Sequence, residues 1–408
     1  AKPLIFERGR DVGRRKNDLD EFHRTFEVNP ESNYLFGEGG AGTYSDGKLY
    51  TRTRDPRAGF ILGTLADCGV SQGALTLSHP HIGSDILPSV VSKIREKIIA
   101  AGGVFHWDSK FVRADIQGGV CRGVFLERDG FVPAPALVLA LGHSARPEAA
   151  GLAAAGVRFE MKSFQLGVRV EHPQSWVNVS RCGMESPPAF LGAAEYALAL
   201  PGGQDSSGAS SFCMCPGGEI IAAVTAAGRL STNGMSLSAR NGFFANSAIV
   251  ASADGRVFGG PAEAFGFIES LEKAAYDAGG GSFAAPCQSA AAFLRGEKTA
   301  GRAESSYRPG VRPERIDALL PPETRDRIRR ALKLFDTKMP EFIKLGNFVG
   351  VETRVSSPVR FTRHPESMES SVSGLFTAGE FGGHAGGIIS AAVDGLKVAE
   401  AVLRGLSR

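Results

Sequence analysis

Gly37-Glu38-Gly39-Gly40-Ala41-Gly42-Thr43-Tyr44-Ser45-Asp46-Gly47-Lys48-Leu49 is the stretch that decides the fold. Its glycines at 37, 39, 40 and 42 let the backbone approach a ligand without Cβ clashes. Successive N–H groups in such a loop can cradle an anion. Ser45 adds a hydroxyl and Lys48 a cation, both suited to pyrophosphate or sugar-alcohol oxygens. No Gly-Lys-Ser/Thr follows at the required spacing, so this is not a Walker loop.

Upstream, Leu4-Ile5-Phe6 is a short apolar run ending at Glu7-Arg8-Gly9. It reads as a buried parallel strand with an acid at its end. In a dinucleotide-binding fold that acid binds ribose hydroxyls, and a glycine-rich turn lies about 20 residues before it. Only residues 1–6 precede Glu7, so the expectation is a nucleotide domain without its first strand, phosphate loop and first helix. The alternative is that Glu7 simply ends a surface strand.

Downstream, Ile86-Leu87, Val90-Val91, Ile94 and Ile98-Ile99 recur at helical spacing. Ser84 or Asp85 is the expected N-cap, and Gly102-Gly103 the stop. Val104-Phe105-His106-Trp107 and Phe111-Val112 read as strands, with a turn at Gly118-Gly119. Leu137-Val138-Leu139-Ala140-Leu141 reads as a buried strand running into a ligand-facing turn at Gly142-His143. His79, His81 and His143 have the chemistry for catalysis but no metal-ligand spacing, and a structural role is the more common one. Near the C-terminus, Gly374-Leu375-Phe376-Thr377 forms a strand before Gly379-Glu380. A helix then starts at Gly387-Ile388, with Gly405 as its terminator. Its free N–H groups and positive dipole end can stabilise negative charge.

Composition narrows the function classes. The 408 residues carry Lys+Arg 46 against Asp+Glu 43, a net charge of +3, which argues against a strongly basic nucleic-acid coat. Hydrophobic residues at 43% and charged residues at 22% fit a folded globular protein rather than a disordered one. The longest apolar run, residues 132–141, is broken by Pro133 and Pro135 and falls short of a membrane span of about 20 residues. Six cysteines in so long a chain are no disulfide framework, so the expected compartment is cytoplasmic.

Taken in order along the chain, these pieces resemble FAD-dependent oxidoreductases of the glutathione-reductase-like FAD-binding class. More narrowly they resemble the uncharacterised bacterial FAD-dependent dehydrogenases, a NAD(P)/FAD-dependent oxidoreductase family. The resemblance rests on Glu7-Arg8-Gly9, the 37–49 loop, Pro80-His81-Ile82-Gly83, Gly142-His143-Ser144-Ala145-Arg146, Ser211-Phe212-Cys213-Met214-Cys215-Pro216-Gly217-Gly218, Thr232-Asn233-Gly234-Met235, Ser306-Tyr307-Arg308-Pro309-Gly310, Val351-Glu352-Thr353-Arg354, Ser356-Ser357-Pro358-Val359-Arg360 and Ala378-Gly379-Glu380.

The resemblance implies an α/β fold: a Rossmann-like FAD-binding domain, N-terminally truncated with its first strand missing, and an inserted α+β substrate domain. Residues 1–150 and 347–408 would form the first domain and residues 151–346 the second. Glu7, with Arg8 beside it, would hold the adenosine ribose. Gly39, Gly40, Gly42, Ser45 and Lys48 would lie along the pyrophosphate, ribityl chain and flavin. Backbone at Phe111 or Val112 would meet the adenine, and Gly142 would line the cleft. Gly379 and Glu380 would contact pyrophosphate and ribityl, and Gly386, Gly387 and Ile388 the pyrimidine edge. FAD is the implied cofactor, with NAD(P)H as a transient reductant and a small molecule as substrate.

In the middle of the chain, residues 211–216 and 219–224 read as a hairpin around Gly217-Gly218. Cys213 and Met214 are cavity candidates, as are Arg354 and His384, with Tyr307, Arg308 and Glu352 as further polar candidates. Cys213-Met214-Cys215 also admits a redox-dithiol reading. In an extended strand, residues two apart face one side without the usual motif geometry, and packing is the simpler reading. Arg325, Arg327, Arg329, Arg330 and Lys333 crowd one helix. A solvated face explains them; a flavin-dependent RNA-modifying enzyme is the alternative, as is a non-catalytic flavin-binding protein.

Overall fold

A computed structural model of the chain describes residues 2–51, 53–76, 80–188, 190–202, 208–301 and 304–407. It is a mixed α/β fold with one large sheet. His79 lies outside the described residues.

Two short parallel strand pairs carry the ends of the chain. Leu4–Phe6 pairs with Val104–His106, and Leu137–Leu139 pairs with Leu375–Thr377. The second pairing brings the C-terminal segment back beside residues more than 230 positions earlier. Between them run the helix Val12–Thr25, capped by the Asp11 carboxylate on the Gly13 and Arg14 N–H groups, and the helix Leu87–Ala100. The second helix has no side-chain cap. Asp85, expected to cap it, accepts instead from the Ser238 N–H and hydroxyl, both at 2.7 Å, and so docks this segment on a distant loop. The C-terminal helix Ile388–Leu406 packs on the helix Arg57–Asp67, burying Ile389 and Val393 with Ile61 and Leu65. It runs through Gly405, which therefore does not end it: the small cost of one glycine in the last turn is outweighed by the packed helix.

The large sheet has seven strands in the order Val311–Pro313, Ala285–Ser289, Asn347–Glu352, Phe164–Pro173, Phe244–Ala253, Ala209–Cys215 and Ala199–Leu200. Only its first pair is parallel. Asn347–Glu352, grouped in the sequence reading with the C-terminal segment, sits inside this sheet. The central strand Phe164–Pro173 is buried on both faces. Val168 and Val170 share a core with Ile328, Leu332 and Phe335 of the helix Pro322–Lys338. The intervening Arg169 points to the other face, where the hairpin of Glu219–Ala222 with Thr232–Met235 covers it. Gly234 is obligatory there: a Cβ would stand 1.9 Å from the Arg169 Nη2.

The hairpin expected around Gly217-Gly218 does not form. Ala209–Cys215 pairs with Phe244–Ala253 within the large sheet, whereas Glu219–Ala222 pairs with Thr232–Met235 above it. Pro216, which has no N–H to donate, marks the point where the chain leaves one layer for the next.

The arginine-rich helix is partly tied down. Arg327 donates to the Ser252 carbonyl at 2.5 Å, and Arg329 to the Phe293 carbonyl at 3.0 Å and to Asp317 at 3.0 Å. Among the described residues, no helix is long and apolar enough to cross a membrane, and no group of three His, Cys, Asp or Glu is arranged to hold a metal ion.

Candidate functional site

The glycine loop is built around Arg15. This side chain is fully buried, and its guanidinium donates to the carbonyls of Asn33 (2.8 Å), Glu38 (2.6 Å) and Gly40 (2.8 Å). Burial pulls the Arg15 pKa down to about 10 against the opposing pull of Tyr44 and Glu7. Because Arg15 gathers the loop's carbonyls inward, the residues from Gly40 to Tyr44 close into a tight helical turn. Glu38 seats the loop from its other side, accepting from the Val12 N–H (2.8 Å) and Arg95 (3.0 Å). Gly42 then faces Ile388 at the start of the C-terminal helix. A Cβ on Gly42 would lie 3.7 Å from Ile388 Cγ1. That helix has no side-chain cap at Gly387, so among the described residues its first N–H groups have no side-chain partner and lie beside the loop.

Glu7 sits where the first strand meets this loop. Its Oε1 accepts from the N–H groups of Gly9 (2.9 Å) and Gly37 (3.0 Å). Among the described residues its Oε2 accepts no bond. Gly9 packs directly on Gly37: a Cβ on Gly9 would stand 2.6 Å from Gly37 Cα. The Ser109 N–H bonds to the Glu7 carbonyl (2.9 Å), which brings the strand Phe111–Gln117 to the same end of the sheet, with Val112 exposed. Arg8, by contrast, is engaged inside the protein. It pairs with Glu31 (2.5 Å) and Glu148 (3.0 Å) and lies 3.9 Å over the Phe36 ring.

The C-terminal turn closes the other side. Gly379 takes φ +63, and its N–H bonds to Asp394 (2.7 Å), which Arg363 clamps with two nitrogens at 2.8 and 3.0 Å. Glu380 Oε2 lies 2.7 Å from His143 Nδ1, next to Gly142. Burial works to raise the Glu380 carboxyl, and the bond and charge of His143 outweigh it, holding it below the usual range. His143 Nε2 is buried with no hydrogen-bond partner among the described residues.

Ser45 and Lys48 both have partners within the protein. Ser45 Oγ donates to the Gly42 carbonyl (2.8 Å) and accepts from the Gly47 N–H (3.1 Å), so its hydroxyl closes the loop's own turn. Lys48 Nζ binds Asp46 (2.8 Å) and the Met214 carbonyl, tying the loop to the strand Ala209–Cys215. Asp46 is itself buried and held by Arg240 at 3.0 and 2.5 Å. Cys213 is half-buried and Met214 buried on that strand.

Of the remaining polar candidates, His81 bridges Lys48 in the loop through its backbone, and the others are engaged elsewhere. Arg354 is buried and pairs with Glu272 (3.2 Å), which also takes Arg146 (2.9 Å) and the Thr353 hydroxyl (2.7 Å). His384 Nε2 binds the Phe361 carbonyl (2.9 Å). His81 Nε2 binds the Ser238 carbonyl (3.2 Å). Tyr307 donates to the Phe283 carbonyl (2.8 Å), and Arg308 pairs with Glu219 (3.0 Å). Glu352 faces Arg169 at 3.2 Å, and burial pushes its carboxyl up to about 7.

Sequence reading missed Arg15, Asp46, Arg240, Arg169 and Glu272. Asp46 stood within the quoted loop and was open to discovery there. The arginines carry no local signal, because a buried arginine and a solvated one look alike in sequence.

An uncharacterized protein of Clostridium beijerinckii is 38% identical to this chain over 407 residues, covering 98% of it and 76% of the clostridial protein. Residues 163–355 match the family described as FAD-dependent protein, C-terminal domain-like. The chain belongs to the same family as the clostridial protein, and its middle segment is an FAD-dependent protein, C-terminal domain-like domain. Among solved structures, the glycerol-3-phosphate dehydrogenase from Bacillus halodurans complexed with FAD is similar at TM-score 0.38 and 11% identity, covering 100% of this chain and 65% of that one. Glycine oxidase from Bacillus cereus is similar at TM-score 0.29 and 9% identity, covering 80% and 57%. The chain thus spans less than two thirds of either of these structures' own length.

The family's implied cofactor fits the residues present. Beside Gly142 and Gly386 a Cβ would meet nothing within 4 Å, so the backbone there is open to a ligand. The helix start at Ile388 and the Glu7 carboxylate both border the glycine loop.

Proposed function

We propose that this protein is an FAD-dependent oxidoreductase that transfers a hydride between flavin N5 and a small-molecule substrate. The observation that carries the reading is the meeting of Gly42 with the uncapped start of the Ile388–Leu406 helix. It places loop N–H groups and a positive dipole end at one spot, which suits an anionic cofactor. When bound, FAD supplies the two-electron chemistry; the protein supplies orientation and electrostatics.

In this reading Glu7 takes the adenosine ribose through its unbonded oxygen, and the backbone at Phe111 or Val112 meets the adenine. Gly39, Gly40 and Gly42 admit the pyrophosphate. Gly142, Gly379 and Glu380 line the cleft, with His143 holding Glu380 in place. Gly386, Gly387 and Ile388 face the pyrimidine edge and favour negative charge there. Ser45 and Lys48 shape the loop from inside rather than touching the cofactor. Cys213 and Met214, reached through Lys48, border the substrate side. A nicotinamide dinucleotide is the transient reductant in this proposal. Residues 1–150 with the segment after 355 form the cofactor domain, and the segment between them, which includes the Asn347–Glu352 strand, the substrate domain.

The test is the visible absorption spectrum of the purified protein, expressed with whatever coding sequence flanks residues 1–408, before and after incubation with FAD. Near-stoichiometric flavin bands that bleach under NADH or NADPH support the reading. Folded protein that stays colourless after added FAD overturns it.

A further inference from the structure

The Cys213-Met214-Cys215 segment is not a regular strand. In its pairing with Phe244–Ala253, Phe212 faces Ala248 and Cys215 faces Asn246, so two residues oppose one. This is a β-bulge, a device that re-aims side chains near functional sites. At the bulge Cys213 takes φ +44, a left-handed conformation that a non-glycine residue seldom adopts without a reason. The bulge removes the objection drawn from an ideal strand: it turns Cys215 Sγ back to 3.3 Å from the Cys213 carbonyl, so the two residues no longer hold the geometry of an extended pair.

Their surroundings differ in a useful way. Cys213 is half-buried, whereas Cys215 is fully buried. Cys215 S–H donates to the Cys213 carbonyl (3.3 Å). Arg169 Nη2 donates to that same carbonyl (2.8 Å) and to Cys215 Sγ (3.4 Å), and Lys48 Nζ is anchored on the intervening Met214 carbonyl. Two cations, the buried Arg169 and the half-buried Lys48, therefore flank the pair. The Cys215 thiol, then the Lys48 and Arg169 charges, hold the Cys213 thiol well below the usual range, while the bond to Cys213 and burial push Cys215 up. Both cysteines are reduced, as are Cys68, Cys121, Cys182 and Cys287.

We propose that Cys213 and Cys215 form a redox-active dithiol that exchanges two electrons with a small-molecule disulfide, Cys213 attacking and Cys215 resolving. The Cys213 thiolate attacks one sulfur of the disulfide. A Cys213–sulfur bond forms, the small molecule's S–S bond breaks, and one thiolate leaves. Cys215 gives its proton to that thiolate and attacks Cys213 Sγ. The protein S–S bond forms, and the second thiolate leaves and takes up the proton that Cys213 had released. The protein loses two electrons and two protons, and the disulfide becomes two thiols. No flavin takes part, so failure of this proposal leaves the flavin reading standing, and the reverse holds too.

The test uses the whole reduced protein, equilibrated anaerobically with oxidised and reduced glutathione at graded ratios, then alkylated and analysed by peptide mass spectrometry. The expected result is loss of two hydrogens from the peptide holding Cys213 and Cys215, while Cys182, the other half-buried cysteine, stays reduced. Cys215→Ser should accumulate glutathione on Cys213, and Cys213→Ser should slow modification of the segment at least tenfold. A segment that stays reduced where Cys182 is already glutathionylated overturns the proposal. The wild-type pH profile of alkylation gives a readout independent of any variant. Cys213 should react well below the usual thiol pKa of about 8.5, and Lys48→Met should move that inflection upward. An inflection at the ordinary value in the wild type also overturns it.

Discussion

His143 Nδ1 lies 2.7 Å from Glu380 Oε2, joining residues 237 positions apart in sequence. The bond locks the turn after Leu137–Leu139 to the turn after Leu375–Thr377, and those two strands are themselves a parallel pair. Replacing Glu380 by Ala removes the carboxylate that holds His143 Nδ1 and loosens the cleft lining. The expected outcome is at least tenfold weaker FAD retention, read by flavin fluorescence titration, with an unchanged far-UV circular dichroism spectrum.

Gly42→Val separates ligand binding from folding. The nearest atom to a Cβ at Gly42 is Ile388 Cγ1 at an ordinary contact distance, so the folded chain has room for the first carbon. A larger side chain fills the space between loop and helix N-terminus. Thermal stability should therefore stay close to wild type while bound flavin is lost. A valine variant that keeps its flavin would move the cofactor elsewhere.

Arg15→Lys is not a conservative change. One ammonium cannot reproduce a planar fork that bonds three carbonyls in different directions. Loss of charge-assisted bonds to buried carbonyls should cost about 3 kcal/mol. Urea unfolding should show that loss, together with faster proteolysis within residues 33–44.

Glu272→Ala leaves Arg146 and Arg354 buried without their shared carboxylate. The expected cost is about 3–5 kcal/mol, the usual result of stranding a buried charge. Glu272 is held down at about 2 by Arg354 and Arg146 against the raising effect of burial. Its contribution is therefore present above its unfolded pKa and fades as pH falls toward about 2. Acid titration of stability should show that loss in the wild type and not in Glu272→Ala.

His172 predicts a second acid-sensitive step. It is fully buried, with Nε2 bound to the Phe342 carbonyl (2.9 Å), and burial lowers its pKa to about 4. The unfolded state binds the proton first, so the stability it contributes is complete above the unfolded pKa of about 6.5 and falls toward pH 4. The shift corresponds to about 3 kcal/mol. Glu352, raised to about 7, acts in the opposite sense, losing stability as pH rises through that value. The measurement is thus the difference in urea stability between wild type and His172→Gln at pH 7 and pH 4.5. The difference should shrink at the lower pH.

Much of the scaffold was legible because local chemistry announces itself. The 37–49 loop, the acid after Leu4-Ile5-Phe6, and the helical period from Ile388 are patterns that short-range sterics and hydrophobic spacing impose. Glycine at a turn and alternation in a strand are readable without knowing the neighbours. The same local rules misplaced the hairpin at Gly217, the Asp85 cap and the Gly405 stop. In each case a distant contact outweighed the local preference: the Phe244–Ala253 strand, the Ser238 loop, and the packed face of the last helix.

Tertiary structure alone decided where the charges went. Lys48 and Ser45 read as ligand groups because their chemistry suits phosphate, and folding gives both internal partners, Asp46 and Met214 for one and Gly42 for the other. Arg354 read as a cavity residue and is spent on Glu272. Arg15, Arg169 and Arg240 carried no signal at all, although each organises a buried cluster. Sequence determined that a glycine loop, an acid and a helix start exist in this chain and in this order. Only folding brought Gly42 to Ile388, Glu380 to His143 and the two thiols into one bulge, because partners for a buried polar group are chosen by proximity in space, which sequence separation does not encode.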